Sequence, residues 1–100
     1  MDYVAKVKEY DPNADEERVK RLERRLALVL NKRDTASVAA SDPKEVERAA
    51  AWVAKACSVP LDEAKRAVDG ALETMKNERM KNRLVVYYLS ASSLGKLADL

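Results

Sequence analysis

Residues 77–96 read NERMKNRLVVYYLSASSLGK, and the fold turns on how they are read. Leu84-Val85-Val86-Tyr87-Tyr88-Leu89 is the most strand-like apolar run in the chain, and Arg79, Lys81 and Arg83 lead into it at alternate positions. β-Branched and aromatic residues in such a run favour a strand. Two arguments outweigh that propensity. No other segment offers a partner strand, and a lone strand leaves its backbone groups unsatisfied. Met80, Leu84, Tyr88 and Ala91 also keep a helical step, and Gly95 stands where a left-handed C-terminal cap belongs. The spacing predicts a helix over 78–94, apolar nearly all round its middle turns and therefore central to the fold. Its tyrosine rings are expected to pack while their hydroxyls reach a polar edge.

The rest of the chain agrees with a helical reading. One hundred residues make one domain over 1–100 with a single core. Two glycines and three prolines are too few for the turns of an all-β domain, and alanine is abundant. The expected class is all-α, a compact bundle of about five helices. A first short helix is expected over 2–9, ending before Pro12, which disfavours helical geometry at Asp11. Asp15 is a good N-cap for a second helix running to about Asn31, with Val19, Leu22, Leu26, Val29 and Leu30 as its apolar stripe. The 31–43 stretch is the loop between the halves, with room for a helical turn from Asp34. Asp42, Pro43 and Glu45 form a capping-box pattern for a third helix to about Cys57, with Trp52 at the edge of its buried face. A fourth helix starts near Leu61 or Asp62, and Gly70 within it predicts a close helix–helix contact.

Composition excludes several chemistries. There is no histidine, which removes the commonest general base and transition-metal ligand. The single Cys57 cannot form an internal disulfide, lacks a histidine partner and falls on an apolar face, so it reads as core. Residues 11–17, DPNADEE, carry oxygen ligands at alternate positions as a calcium loop does. Glu16 replaces the turn glycine, however, and Leu22 stands where the bidentate glutamate belongs. The two S-x-x-K matches, at Ser41 and Ser93, lack companion motifs. No catalytic residue, cofactor or metal is expected.

A net charge of +2 becomes an electrostatic footprint only if the charges segregate by face. Two basic stretches qualify for attention. One is Arg18, Lys20, Arg21, Arg24, Arg25, Lys32 and Arg33; the other is Lys76, Arg79, Lys81 and Arg83. On a continuous helix Arg79 and Arg83 share a face and Lys81 points elsewhere. These cations are expected either to meet acids of neighbouring helices or to meet an anionic partner. The N-terminus lacks a basic, apolar leader and no run is long enough to span a membrane, so a cytoplasmic location is expected.

YDPNAD at 10–15, DTASVAASDPKE at 34–45 and MKNERMKNRLVVYYLSASSLGKL at 75–97 resemble a family of small bacterial proteins. That family is catalogued as domain of unknown function 2853. The resemblance covers nearly the whole chain and rests most on Asp34, Val38, Ala39, Ser41 and Asp42, and on Arg79, Lys81, Arg83, Val85, Tyr87, Tyr88, Leu89, Gly95 and Lys96. It implies a small helical domain and brings no activity. The function expected from the residues is non-enzymatic: association with a protein partner, or with a second copy as a homodimer. The alternative is RNA or DNA binding through the basic helices. The candidate interaction surface is Arg79, Lys81 and Arg83 with Ser41 and Asp42.

Overall fold

The computed structural model describes all of residues 1–100. Six α-helices follow one another: α1 Tyr3–Lys8, α2 Glu16–Arg25, α3 Ala27–Leu30, α4 Pro43–Cys57, α5 Leu61–Thr74 and α6 Arg83–Ser93, with a final 3-10 turn at Leu97–Asp99. The expected second helix is thus two, because it breaks at Leu26, whose φ of −99° and ψ of 9° leave the helical region. The caps form where short polar side chains precede each run. Asp2, Asp15 and Asp42 accept from Ala5, Glu17 and Lys44 amides. The capping box is only half made, since Glu45 turns away from the Asp42 amide, which donates to the Ala39 carbonyl instead.

The apolar run is a helix, as its flanks require. Its start is Arg83, not Glu78, for a physical reason. Residues 36–38 lie antiparallel to residues 81–83: the Val38 amide donates to the Lys81 carbonyl and the Arg83 amide to the Ala36 carbonyl, each at 2.8 Å. That pairing keeps Asn82 out of the helix, with φ −56° and ψ 131°. Asn82, 4% exposed, then caps α6 by accepting from the Leu84 and Val85 amides at 2.9 and 3.3 Å. At the other end Gly95 adopts φ 69°, its amide donating to the Ser92 carbonyl and that of Lys96 to the Ala91 carbonyl. This is a Schellman closure.

Every residue from Asn82 to Ala91 except Leu89 is buried. The molecule measures 29 × 27 × 25 Å, so an eleven-residue helix of about 16 Å spans more than half of it. Hence α6 packs against α1, α2, α4, α5 and the C-terminal turn. The core around it joins Val7, Val19 and Leu22 to Val46, Val53, Val68, Leu72 and Met75. Cys57 is fully buried among these residues, and burial raises its thiol pKa. Trp52 is half-buried and stacks on Tyr87 at 4.2 Å, while the Arg25 guanidinium lies 4.9 Å over its ring centre.

Gly70 makes no close helix contact; a Cβ built there meets nothing within 4 Å. Its conformational freedom therefore serves no packing need. Gly70→Ala is expected to stabilise the domain by about 1 kcal/mol, the usual helix-interior difference, read as a higher urea midpoint. The same change at Gly95 is expected to destabilise, because φ is positive there.

Candidate functional site

The antiparallel pairing of 36–38 with 81–83 brings two distant segments side by side and leaves an open cleft between them. Arg33, Asp34 and residues 37–41 form one wall, Arg79, Met80 and Lys81 the other, around a volume of about 470 Å³. Of the five residues expected at an interaction surface, Arg79, Lys81 and Ser41 line it. Asp42 does not; its carboxylate is occupied by the Lys44 amide at the start of α4. Arg83 does not either. Arg79 precedes the helix, so the two arginines share no helical face.

Arg83 is a structural cation, 6% exposed. Its guanidinium pairs with Glu45 of α4 and donates to the Thr35 and Ser37 carbonyls and to the Tyr87 hydroxyl. Glu45 also meets Arg48 at 3.2 Å. These bonds clamp the loop before α4 onto α6 and so fix one wall of the cleft from behind.

The other wall is fixed through Glu78. Its carboxylate pairs with Lys6 of α1 and accepts the Tyr10 hydroxyl, and its carbonyl accepts from Lys81 Nζ at 2.9 Å. Hydrogen bonding to Glu78 raises the Lys6 pKa, against burial. Burial, aided by Glu78, pushes the Tyr10 phenol up to about 12. For Glu78 burial acts upward, but the bonds from Lys6 and Tyr10 outweigh it and its pKa falls below 4.5. The signs give two limbs. Glu78 contributes stability present above its ordinary pKa and lost as pH falls through its depressed one. Lys6 and Tyr10 contribute stability present below their ordinary values of 10.5 and 10.0 and lost as pH rises through the raised ones. Glu78→Gln is expected to flatten both limbs of a thermal midpoint measured against pH, leaving the intervening plateau lower.

Inside the cleft, charge is uncompensated. Three cations face one carboxylate, Asp34, and no intramolecular ion pair uses Arg33, Arg79 or Lys81. The amides of Ala39, Ala40 and Ser41 donate to no backbone carbonyl. Arg33, Asp34, Ser41 and Arg79 are exposed, Ser37 and Lys81 half-buried, and Met80 is 62% exposed. From the sequence alone Arg33 belongs to a different basic stretch, Met80 to the apolar step of the last helix, which it precedes here, and Ser37 carries no signal; only the 36–38 pairing unites them. The arrangement can hold an anion beside an apolar group. No three carboxylates or thiols come together to hold a metal ion.

The other basic residues of α2 also lack acids: Arg18, Lys20, Arg21, Arg24 and Arg25 make no ion pair. Arg25 is spent on the Trp52 ring. Of the DPNADEE turn, Asp11 takes the Tyr88 hydroxyl at 2.7 Å and the Asn13 amide, and Asp15 caps α2. Those carboxylates are structural. No helix is long and apolar enough to cross a membrane.

Among known proteins, no curated protein and no solved structure matches the chain. A family model described as a protein of unknown function, DUF2853, matches residues 2–98. With almost the entire sequence inside that match, the chain belongs to the DUF2853 family.

Proposed function

We propose that the domain is a non-enzymatic binding module that associates with another protein through the cleft between 33–41 and 79–81. The observation that carries this reading is the meeting of Arg33, Arg79 and Lys81 in one open cleft whose single carboxylate is Asp34, with none of the three in an intramolecular ion pair. Exposed arginine and methionine side by side are the composition enriched at protein interfaces. A second copy of the chain is the competing occupant, and self-association through this surface requires an acidic complement on the same molecule.

The test uses the tagged full chain and Arg33→Glu with Arg79→Glu, two exposed residues outside every ion pair. The wild type is expected to recover a protein partner that the variant loses, with an unchanged thermal midpoint. A Lys20→Glu control is expected to keep it. Equal recovery by the variant overturns the reading, as does a wild type that is monomeric by light scattering and recovers nothing.

A further inference from the structure

We infer that the cleft is an oxyanion site that takes a phosphate monoester carried on a peptide of the partner. The inference rests on the association reading above and names its ligand chemistry. Charge is the first argument. Arg33, Arg79 and Lys81 against Asp34 leave the cleft two charges positive. A phosphorylated side chain carries about −1.5 to −2 at neutral pH. A single carboxylate leaves half of that unmatched.

Donor geometry is the second argument. Two guanidinium groups offer planar forks suited to phosphate oxygens, and both are free of internal acids. Lys81 spends one Nζ proton on the Glu78 carbonyl, which anchors it at the cleft and leaves two more. The Ala39, Ala40 and Ser41 amides are unspent on the backbone, and the Ser37 and Ser41 hydroxyls lie in the same wall. Consecutive free amides beside cations are a recurring way to hold an anion.

The remaining walls distinguish the carrier. Val38, Ala39, Ala40 and Met80 give the cleft an apolar side, and 470 Å³ exceeds what a phosphate group alone fills. A peptide with small apolar neighbours uses that space. Single-stranded nucleic acid needs aromatic faces for its bases. The cleft has none: Tyr87 and Tyr88 are buried in α6, and Trp52 is stacked on Tyr87 outside the cleft.

The experiment is an NMR titration of the full chain with four probes. They are an alanine-rich peptide with a central phosphothreonine, the same peptide with glutamate there, inorganic phosphate, and a short oligoribonucleotide. The phosphopeptide is expected to give saturable shifts at the Ala39, Ala40 and Ser41 amides and at the Nε–H groups of Arg33 and Arg79. It is expected to bind more tightly than the other three probes. Arg79→Gln is expected to weaken it about tenfold, the loss of one charge-assisted bond pair. Asp34→Asn is expected to tighten it several-fold by removing the opposing charge. Absent shifts overturn the inference, as does binding of glutamate peptide, inorganic phosphate or oligoribonucleotide at least as tight as the phosphopeptide. So does a phosphopeptide affinity indifferent to Arg79→Gln. Partner loss in Arg33→Glu with Arg79→Glu, without these shifts, sinks the phosphate inference and leaves the association reading standing. Phosphopeptide shifts with unchanged partner recovery do the reverse.

Discussion

Glu45→Ala is expected to cost about 3–5 kcal/mol, because it strands the Arg83 guanidinium in the interior without a counter-charge. Glu45 and Arg83 are 8% and 6% exposed, so solvent does little to screen the loss. The remaining partners of Arg83, the Thr35 and Ser37 carbonyls and the Tyr87 hydroxyl, are neutral. A domain of this size commonly has about 5–15 kcal/mol in total. The variant is therefore expected to unfold at a midpoint lower by on the order of 20 °C.

The companion measurement separates the charge from the packing. Glu45→Met with Arg83→Met removes both charges and keeps most of the volume. Replacing buried pairs by apolar residues is often neutral or better, so the double variant is expected to regain most of the lost stability. It does not regain the clamp on the 35–37 loop, because methionine cannot donate to those carbonyls. Hydrogen exchange at Val38 and at position 83, whose amides pair the two cleft walls, is expected to be faster in the double variant than in the wild type. A loss below about 1 kcal/mol for Glu45→Ala, the range of exposed pairs, defeats the argument that the pair is desolvated.

Glu45 also shows where sequence reading stops. Its place three residues after Asp42 fits a capping box, and local rules contain nothing to say otherwise. The competing partner, Arg83, is 38 residues away and is visible only once α4 and α6 are packed. The helix–strand ambiguity of residues 84–89 was decidable because it depends on local spacing and on the absence of a partner strand elsewhere, both readable from the sequence. The start of that helix was not, because pairing with residues 36–38 keeps Asn82 out of the helix. Asn82 was the one available signal, a polar N-cap residue directly before Arg83 and the apolar run. The cleft follows the same division: Arg79, Lys81 and Ser41 were legible as unusual residues, but the pairing that assembles them with Arg33 is tertiary. Gly70 failed as a signal for the opposite reason. A glycine in a helix has either a packing partner or none, and sequence does not distinguish the two.

Tyr88→Ala is expected to cost about 3–5 kcal/mol, the range for deleting a fully buried aromatic ring. Tyr88 is 1% exposed and the largest fully buried side chain in the molecule. Its hydroxyl leaves the core at one point only, donating to Asp11 Oδ2 at 2.7 Å across a separation of 77 residues. Burial first, then the Asp11 carboxylate, drives its pKa upward, so the donor stays protonated through the neutral range. Tyr88→Phe keeps the ring and removes that bond to a charged acceptor. It is expected to cost about 1.5–3 kcal/mol. The difference between the two variants, measured by urea unfolding, assigns the rest to ring packing. Asp11 keeps its second oxygen on the Asn13 amide, so the turn between α1 and α2 is expected to survive in Tyr88→Phe while losing its tether to α6. Faster exchange at the Ala14 amide, which closes that turn onto the Asp11 carbonyl, is the local readout. A Tyr88→Phe variant as stable as the wild type shows that Asp11 is equally well satisfied by water. In that case the hydroxyl only tolerates its position, and the packing of the ring alone carries the link between the two ends of the chain.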